Sequence, residues 1–471
     1  MTETTLFDQR SRKFLPWIAA LAFFMQSLDG TILNTALPAI AKDLNHSALD
    51  MQSVIISYTL TLAVLIPVSG WMADKFGTKT TFTIAVALFT IGSLCCSLAG
   101  NLPQLVFSRI LQGIGGAMMV PVARLTILYA YPKKLLLRVL NFVIIPGMVG
   151  PLLGPSLGGF IVDFASWHWI FLINIPIGII GIFMAGYAMP NFKRETGVFD
   201  FLGFIFFSGA LTLITLAMEI GNGGKGNTVY LIGFITLSGL LIFSYIQHAL
   251  KTKNPLIKLE LFNIRTLRIG LIGSLSTRLG IGGFPLLLPL MLQIGLGYPA
   301  AISGLMLIPS AAANLFTKTI VTKIVKKLGY RRTLVGNTIL LAIIIALFSL
   351  PNQNTPLYML IPLLLLYGMI SSVQFTSMNT ISVADLDKDT SSEGNSMIAV
   401  TQQLSISFGI SITSFLLNLM HNIPSQSNIT AFKYTFIILG IITALSSLVF
   451  TRLRKTDGDN LSGHRTGEDH S

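Results

Sequence analysis

Apolar runs of about 20 residues, each long enough to cross the hydrocarbon core of a bilayer, recur along this chain from end to end. They fall near 14–38, 51–73, 81–99, 104–127, 139–162, 169–190, 199–219, 229–248, 267–293, 301–322, 333–350, 356–378, 397–420 and 432–451. No globular core needs that many. The composition agrees: 52% of the 471 residues are hydrophobic and 11% charged, with a mean hydropathy of +0.72. The expectation is an all-α integral membrane protein of fourteen spans. The first run follows Arg10, Arg12 and Lys13, like a signal peptide, but it is too long, contains Asp29 and is followed by further spans, so it is expected to stay attached.

Charge orients the spans. Membrane proteins concentrate Lys and Arg in cytoplasmic loops, and placing both termini inside puts nearly all of the 32 basic residues there. Only Lys42, Lys225 and Lys433 fall on the opposite side, and only Arg109, Arg278 and Lys318 within spans. The formal charge of +13 therefore needs no polyanionic partner. A nucleic-acid module would need a solvated basic face beside stacking aromatics, and none can be assembled.

Enzyme chemistry finds no footing. Gly223-Gly224-Lys225-Gly226 lacks the spacing and the hydroxyl residue of a phosphate-binding loop, so ATP is not expected to be the energy source. The six histidines form no HExxH pair, Cys95 and Cys96 lie side by side in an apolar run, and no CxxC exists. No catalytic group, metal or cofactor is expected.

An internal echo organises the spans. The loop Asp74-Lys75-Phe76-Gly77-Thr78-Lys79 after the second span matches Lys326-Lys327-Leu328-Gly329-Tyr330-Arg331 after the tenth: each is a basic turn with Gly at the same offset. The separation equals eight spans rather than six. That fits two six-span halves, 1–195 and 251–455, with an inserted two-span hairpin at 196–250 and a polar cytoplasmic tail at 456–471. Repeated halves are how many secondary transporters are built.

Five segments carry chemistry. Asp29, in Leu28-Asp29-Gly30-Thr31, is the only acid deep inside a span. An ionised carboxylate there costs about 2.5–3.5 kcal/mol on insertion scales, so it must be paired, hydrated or protonated. Burial favours the protonated form and a cation the ionised one, so a changing environment would let Asp29 take up and release a proton. A helix-locking hydrogen bond is the structural alternative. Gly70-Trp71-Met72-Ala73-Asp74 leads into the first basic loop, where Gly70 would admit a neighbouring helix, Gly77 a turn at positive φ, and Asp74 a cation such as Arg124. Arg109-Ile110-Leu111-Gln112-Gly113-Ile114-Gly115-Gly116 offers a buried cation that could tune Asp29 or snorkel to the interface.

In the fifth span, Gly150, Gly154 and Gly158 share one helix face, interleaved with Pro146, Pro151 and Pro155. Such a ridge permits close packing, and the prolines loosen the helix, which suggests a hinge. Arg278, midway through the ninth span, has no acid in the same span and would face either Asp29 or an anionic ligand. His168, between Trp167 and Trp169, reads as an interfacial residue.

Taken in order, the acid of span one, the GxxxDxxGxK loop, the RxxQGxGxA segment and the GPxxGPxxGG segment resemble the major facilitator superfamily, and within it the fourteen-span drug/proton antiporters, over Gln26 to about Leu453. Two departures stand out: His168 replaces an Arg often found there, and Lys326 stands where an acid is usual.

The resemblance implies the major facilitator fold: two six-helix bundles plus two inserted central helices. It implies proton-coupled efflux of drugs or small amphipathic compounds across the bacterial cytoplasmic membrane, with protons, a small-molecule substrate and membrane lipid as partners. It makes Asp29 and Arg109 the proton-coupling pair; Gly70, Asp74, Gly77, Lys79 and Arg124 the cytoplasmic gate; and Gly150, Pro151, Gly154, Pro155, Gly158 and Gly159 the antiporter hinge. Gln26, Asn34, Gln112 and Arg278 are candidate substrate contacts. Arg278, where related multidrug carriers often have acids, keeps open export of a small organic anion or metal-chelate metabolite. A receptor or scaffold that does not transport is the alternative of another class.

Overall fold

A computed structural model describes residues 9–221, 228–387, 390–421 and 428–462. Gly223–Gly226, Lys388 and the tail from 463 onward, with His464 and His470, lie outside the described residues. Every regular element among those described is helical, and 13 helical stretches are long and apolar enough to cross a membrane. One of them, Ala300–Leu347, has 48 residues and is interrupted by Gly329, with φ 73° and ψ 161°. The fourteen spans expected from the sequence are consistent with this, because that stretch contains the tenth and eleventh. Gly77 separates the second and third spans in the same way, with φ 99° and ψ 144°. The two basic loops thus share a backbone device as well as a pattern: a glycine in a conformation that other residues avoid.

The chain divides into two units, 1–201 with 299–305, and 202–298 with 306–471. The first contains α1 (Gln9–Ile32), continued by a 3-10 turn into α2 (Leu37–Asp43), then α3 (Gln52–Phe76), α4 (Thr78–Ser97), α5 (Leu102–Ala130), α6 (Lys133–Phe164), α7 (His168–Leu172) and α8 (Asn174–Ala188). Local signals set the ends. Asn101 caps α5 by accepting from Gln104 N at 2.9 Å, and Pro38 enters the first turn of α2, where its missing N–H costs nothing. Within the unit α1 pairs with α6, α4 with α5, α3 with α5, and α4 with α8.

The second unit holds α9 (Phe201–Gly221), α10 (Thr228–Lys251), α11 (Arg265–Ile281), α12 (Phe284–Leu290), α14 (Ile308–Leu347), α15 (Leu360–Val383), α16 (Ser391–His421), α17 (Asn428–Phe450) and α18 (Asp459–Ser462). The short α13 (Ala300–Leu305) clusters with the first unit. The ninth span is broken at Gly282 and Gly283 and ends in a π turn at Met291–Gly295. Buried Tyr330, Leu334, Val373, Met378, Ile381 and Phe450 form part of a core where α14, α15 and α17 meet.

The glycines of the first basic loop differ in consequence. A Cβ at Gly77 would meet the Asn191 side chain, with Cγ at 2.8 Å, in a backbone region closed to L residues, whereas nothing lies within 4 Å of one at Gly70. Gly70 therefore does not serve a close helix approach: its side faces open space. Gly77→Ala is expected to destabilise the purified protein by about 1–3 kcal/mol, and Gly70→Ala to leave its thermal melting in detergent unchanged.

Candidate functional site

Asp29 and Arg109 are the deepest charges of the first unit, 0% and 1% exposed, and form an ion pair at 2.7 Å. The carboxylate's other oxygen accepts from Gln112 Nε2 at 2.8 Å and from Asn174 Nδ2 at 3.2 Å. Arg109 also donates to Gln112 Oε1 at 2.5 Å and, through Nε, to Val54 O at 3.2 Å. Its guanidinium lies 4.2 Å from the centre of the Tyr58 ring. Gln112 donates further to Ser93 Oγ at 2.7 Å. The cluster draws on five helices, α1, α3, α4, α5 and α8.

Helix geometry makes this possible. Arg109 and Gln112 are three residues apart on α5 and so share a face. Around them the backbone is stripped of side chains: a Cβ on Gly113 would lie 2.8 Å from Thr61 of α3, one on Gly115 2.9 Å from Phe89 Cα of α4, and one on Gly116 2.9 Å from Tyr58 Oη. The glycines that follow the cation are what let α3 and α4 close around it. Breaking a buried ion pair by removing one partner typically costs about 3–5 kcal/mol, because the other charge is left uncompensated. Protonating Asp29 would have the same electrostatic consequence: the charge facing Arg109 disappears and an acceptor becomes a donor.

Among the described residues of the first unit, several buried side-chain polar atoms have no partner: Tyr58 Oη and Asn174 Oδ1, on residues of the cluster, and Gln52 Oε1 and Gln26 Oε1. Gln26 was expected as a substrate contact and lies among them. Asn34 sits on the 3-10 turn, 6% exposed. Gln112 belongs elsewhere than expected: it is fully buried, and its amide is committed to Asp29, Ser93 and Arg109.

The glycine ridge of α6 packs against the helix that carries Asp29. Added Cβ atoms would lie 3.3 Å from Phe23 at Gly147, 2.7 Å from Ser27 Cβ at Gly150, 3.1 Å from Thr31 Cβ at Gly154 and 2.8 Å from Thr35 Oγ1 at Gly158. The contacts climb α1 and the 3-10 turn that continues it in steps of four residues, so the two ridges run in register. Thr31 and Thr35 tie the pair further by donating to Gly150 O at 3.3 Å and Pro155 O at 2.8 Å. Gly159 points off this face: its Cβ would sit 2.9 Å from Ala301 Cα of α13, whose amide donates to Asp163 at 2.7 Å. Helix α6 runs unbroken through Pro146, Pro151 and Pro155.

At the other end of the unit, Asp74 does not pair with Arg124, which is exposed and forms no ion pair among the described residues. Asp74 accepts from Tyr129 Oη at 2.9 Å, and its backbone carbonyl accepts from Arg194 N at 2.9 Å. Arg194 in turn lies 3.7 Å above the Tyr129 ring. Lys79 Nζ donates to Gly186 O at 2.6 Å, and Lys79 N to Asn191 Oδ1 at 3.1 Å. The basic loop is thus latched to the end of α8 and to the segment that follows it. Sequence had placed the latch partner one helical face away, since Tyr129 and Arg124 are five residues apart on α5.

In the second unit Arg278 is half-buried on α11. It donates to Ser274 Oγ at 3.2 Å and lies 4.3 Å from the centre of the Phe375 ring, with no acid in contact among the described residues. His168 is stacked on Trp167 and bonded to Ser166 Oγ.

The family model of the Major Facilitator Superfamily matches residues 19–410. The chain belongs to the major facilitator superfamily. It is 44% identical over 442 residues, 93% of its length and 95% of the other's, to the protein of Pectobacterium atrosepticum named "Putative multidrug resistance protein MdtD". Against the protein of the same name in Escherichia coli it is 42% identical over 456 residues, 96% and 97% of the two chains.

Solved members of the superfamily's fold match nearly the whole length at low identity. A D-xylose-proton symporter aligns with TM-score 0.66 and 17% identity over 95% of this chain and 99% of its own. A bacterial homologue of the human lysosomal transporter Spinster aligns with TM-score 0.67 and 14% identity over 98% and 100%. At such identities these show the fold alone. As a major facilitator protein the chain is a multi-pass membrane transporter rather than an enzyme.

Proposed function

We propose that this protein is a proton-coupled antiporter that exports drugs or other small amphipathic compounds across the bacterial cytoplasmic membrane. The carrying observation is the Asp29–Arg109 pair, buried and braced by Gln112 and Asn174. A carboxyl so placed can exchange one strong partner for a proton, and the close α1–α6 seam would pass that change to the helix rich in glycine and proline. The names of the enterobacterial relatives support drug export as the direction of work.

In this reading, substrate binds the cytoplasm-facing state while Asp29 is ionised, the halves (1–195 and 251–455) rock with 196–250 between them, and protonation from outside resets the carrier. Gly150 to Gly159 act as the hinge, and Asp74, Gly77 and Lys79 with Tyr129 as the cytoplasmic gate. Protons moving down a gradient supply the energy, with about 2.3 kcal/mol added per charge for each 100 mV of potential, so neither ATP nor a cofactor is required. In proteoliposomes, export of a lipophilic cationic dye should stop when a protonophore collapses the pH gradient; dye export unaffected by the protonophore would refute proton coupling.

Arg278 favours a second reading, export of a small organic anion or metal-chelate metabolite, because a half-buried cation without an acid partner suits an anionic ligand. Inverted vesicles offered lipophilic cations and carboxylates separate the two. If anions are the cargo, Arg278→Ala should lower carboxylate transport at least about tenfold, the scale of a lost charged hydrogen bond, and leave cation transport intact. Equal loss for both would remove this reading.

A further inference from the structure

The second unit contains a cleft lined by none of the residues described above as candidate site residues. It has a volume of about 180 Å³ and is lined by Arg265, Arg268, Ile269, Ile272, Val449 and Arg452, where the start of α11 meets the end of α17. The two helices pack closely there because Gly273 brings α11 against the Phe450 ring. Arg265, Arg268, Ile269 and Ile272 are spaced i, i+3, i+4 and i+7, so they share one face of α11. Val449 and Arg452 complete the opposite wall.

Polarity is graded in the same direction on both walls. On α11 the arginines come first and Ile272 lies four residues deeper into the span, about 6 Å at the helical rise. On the other wall Val449 lies in the last turn of α17 and Arg452 in the turn just beyond its end. The cleft therefore offers guanidinium groups at the membrane surface and aliphatic side chains toward the hydrocarbon. Arg265 is held by Asp457 at 3.5 Å and donates to Arg452 O at 2.6 Å. Among the described residues Arg268 donates to Phe262 O at 3.3 Å. Neither Arg268 nor Arg452 meets an acid among the described residues, and both are exposed. The N-terminus of α11 adds its partial positive charge to the same end.

We propose that this cleft binds an anionic phospholipid, its phosphate held by Arg268 and Arg452 and an acyl chain lying along Ile269, Ile272 and Val449. Arginine suits this role because its planar donor fork matches a phosphate, and basic pockets between membrane helices are suited to anionic headgroups. A free phosphate or a soluble phosphorylated compound shares the headgroup chemistry but makes no use of the aliphatic wall.

Native mass spectrometry of the full chain, titrated with phosphatidylglycerol or phosphatidylcholine, tests the assignment. Arg268→Ala with Arg452→Ala should weaken phosphatidylglycerol binding at least about tenfold and leave phosphatidylcholine unchanged, while Arg454→Ala, outside the cleft, should change neither. Ile272→Trp, which fills the wall without touching charge, should weaken the diacyl lipid and not inorganic phosphate, and it serves alone if the double variant fails to fold. Phosphatidylglycerol retained at wild-type strength by the cleft variants would overturn the proposal. So would its displacement by millimolar inorganic phosphate, which would make the site one for soluble anions.

Discussion

Asp29→Asn should abolish transport driven by a pH gradient, reducing it at least about a hundredfold, because the amide cannot exchange a proton at working pH. The same substitution removes the charge facing Arg109, 1% exposed and 2.7 Å away, and should destabilise the protein by about 3–5 kcal/mol. The two effects can be separated. Adding Arg109→Gln to Asp29→Asn removes the stranded cation, so melting temperature should recover most of its loss while transport stays at background. Recovery of gradient-driven transport in the double variant would show that the pair braces the bundle without carrying protons.

Gly150→Val should be nearly as damaging, by a different route. A Cβ at Gly150 would lie 2.7 Å from both Leu28 N and Ser27 Cβ, and a backbone atom on the facing helix cannot step aside as a flexible side chain can. Overpacking of this kind costs about 1–3 kcal/mol, and here it also pushes α1, with Asp29 the residue after Leu28, off its register against α6. Transport should fall with folded protein still recoverable in detergent. Gly233→Val is the control, since nothing lies within 4 Å of a Cβ there. Equal transport by the two variants would mean that the α1–α6 seam does not bear on function.

Charges inside apolar runs were the legible part of the site. Asp29 and Arg109 stand out because each is costly unless partnered, and Gln112 lies one turn from Arg109 in the same segment. Asn174, Ser93 and Tyr58 gave no such signal: neutral polar residues recur in many spans, and only the packing of α3, α4 and α8 around α5 selects these three. The spacing of Gly150, Gly154 and Gly158 showed a close-packing face but not its partner, because a bare ridge fits any helix with a complementary surface. That the partner is α1, and that Gly159 serves α13 instead, depends on tertiary contacts.

The latch partner was missed for a more local reason. By apolar length the fourth span ends near 127, but α5 continues to Ala130, and the added turn brings Tyr129 within reach of Asp74. In the fold, the positive-φ glycines of the two basic loops were legible as turns, while the break at Gly282 and Gly283 inside the ninth span was not. A pair of glycines in a membrane helix more often serves packing than interruption.

In the proposed cycle Asp29 trades its proton for cargo. Purified protein in weakly buffered detergent, given a lipophilic cationic dye that it transports, should release protons from the wild type, and Asp29→Asn should release none while still binding the dye. Proton release of equal size from Asp29→Asn would contradict the account.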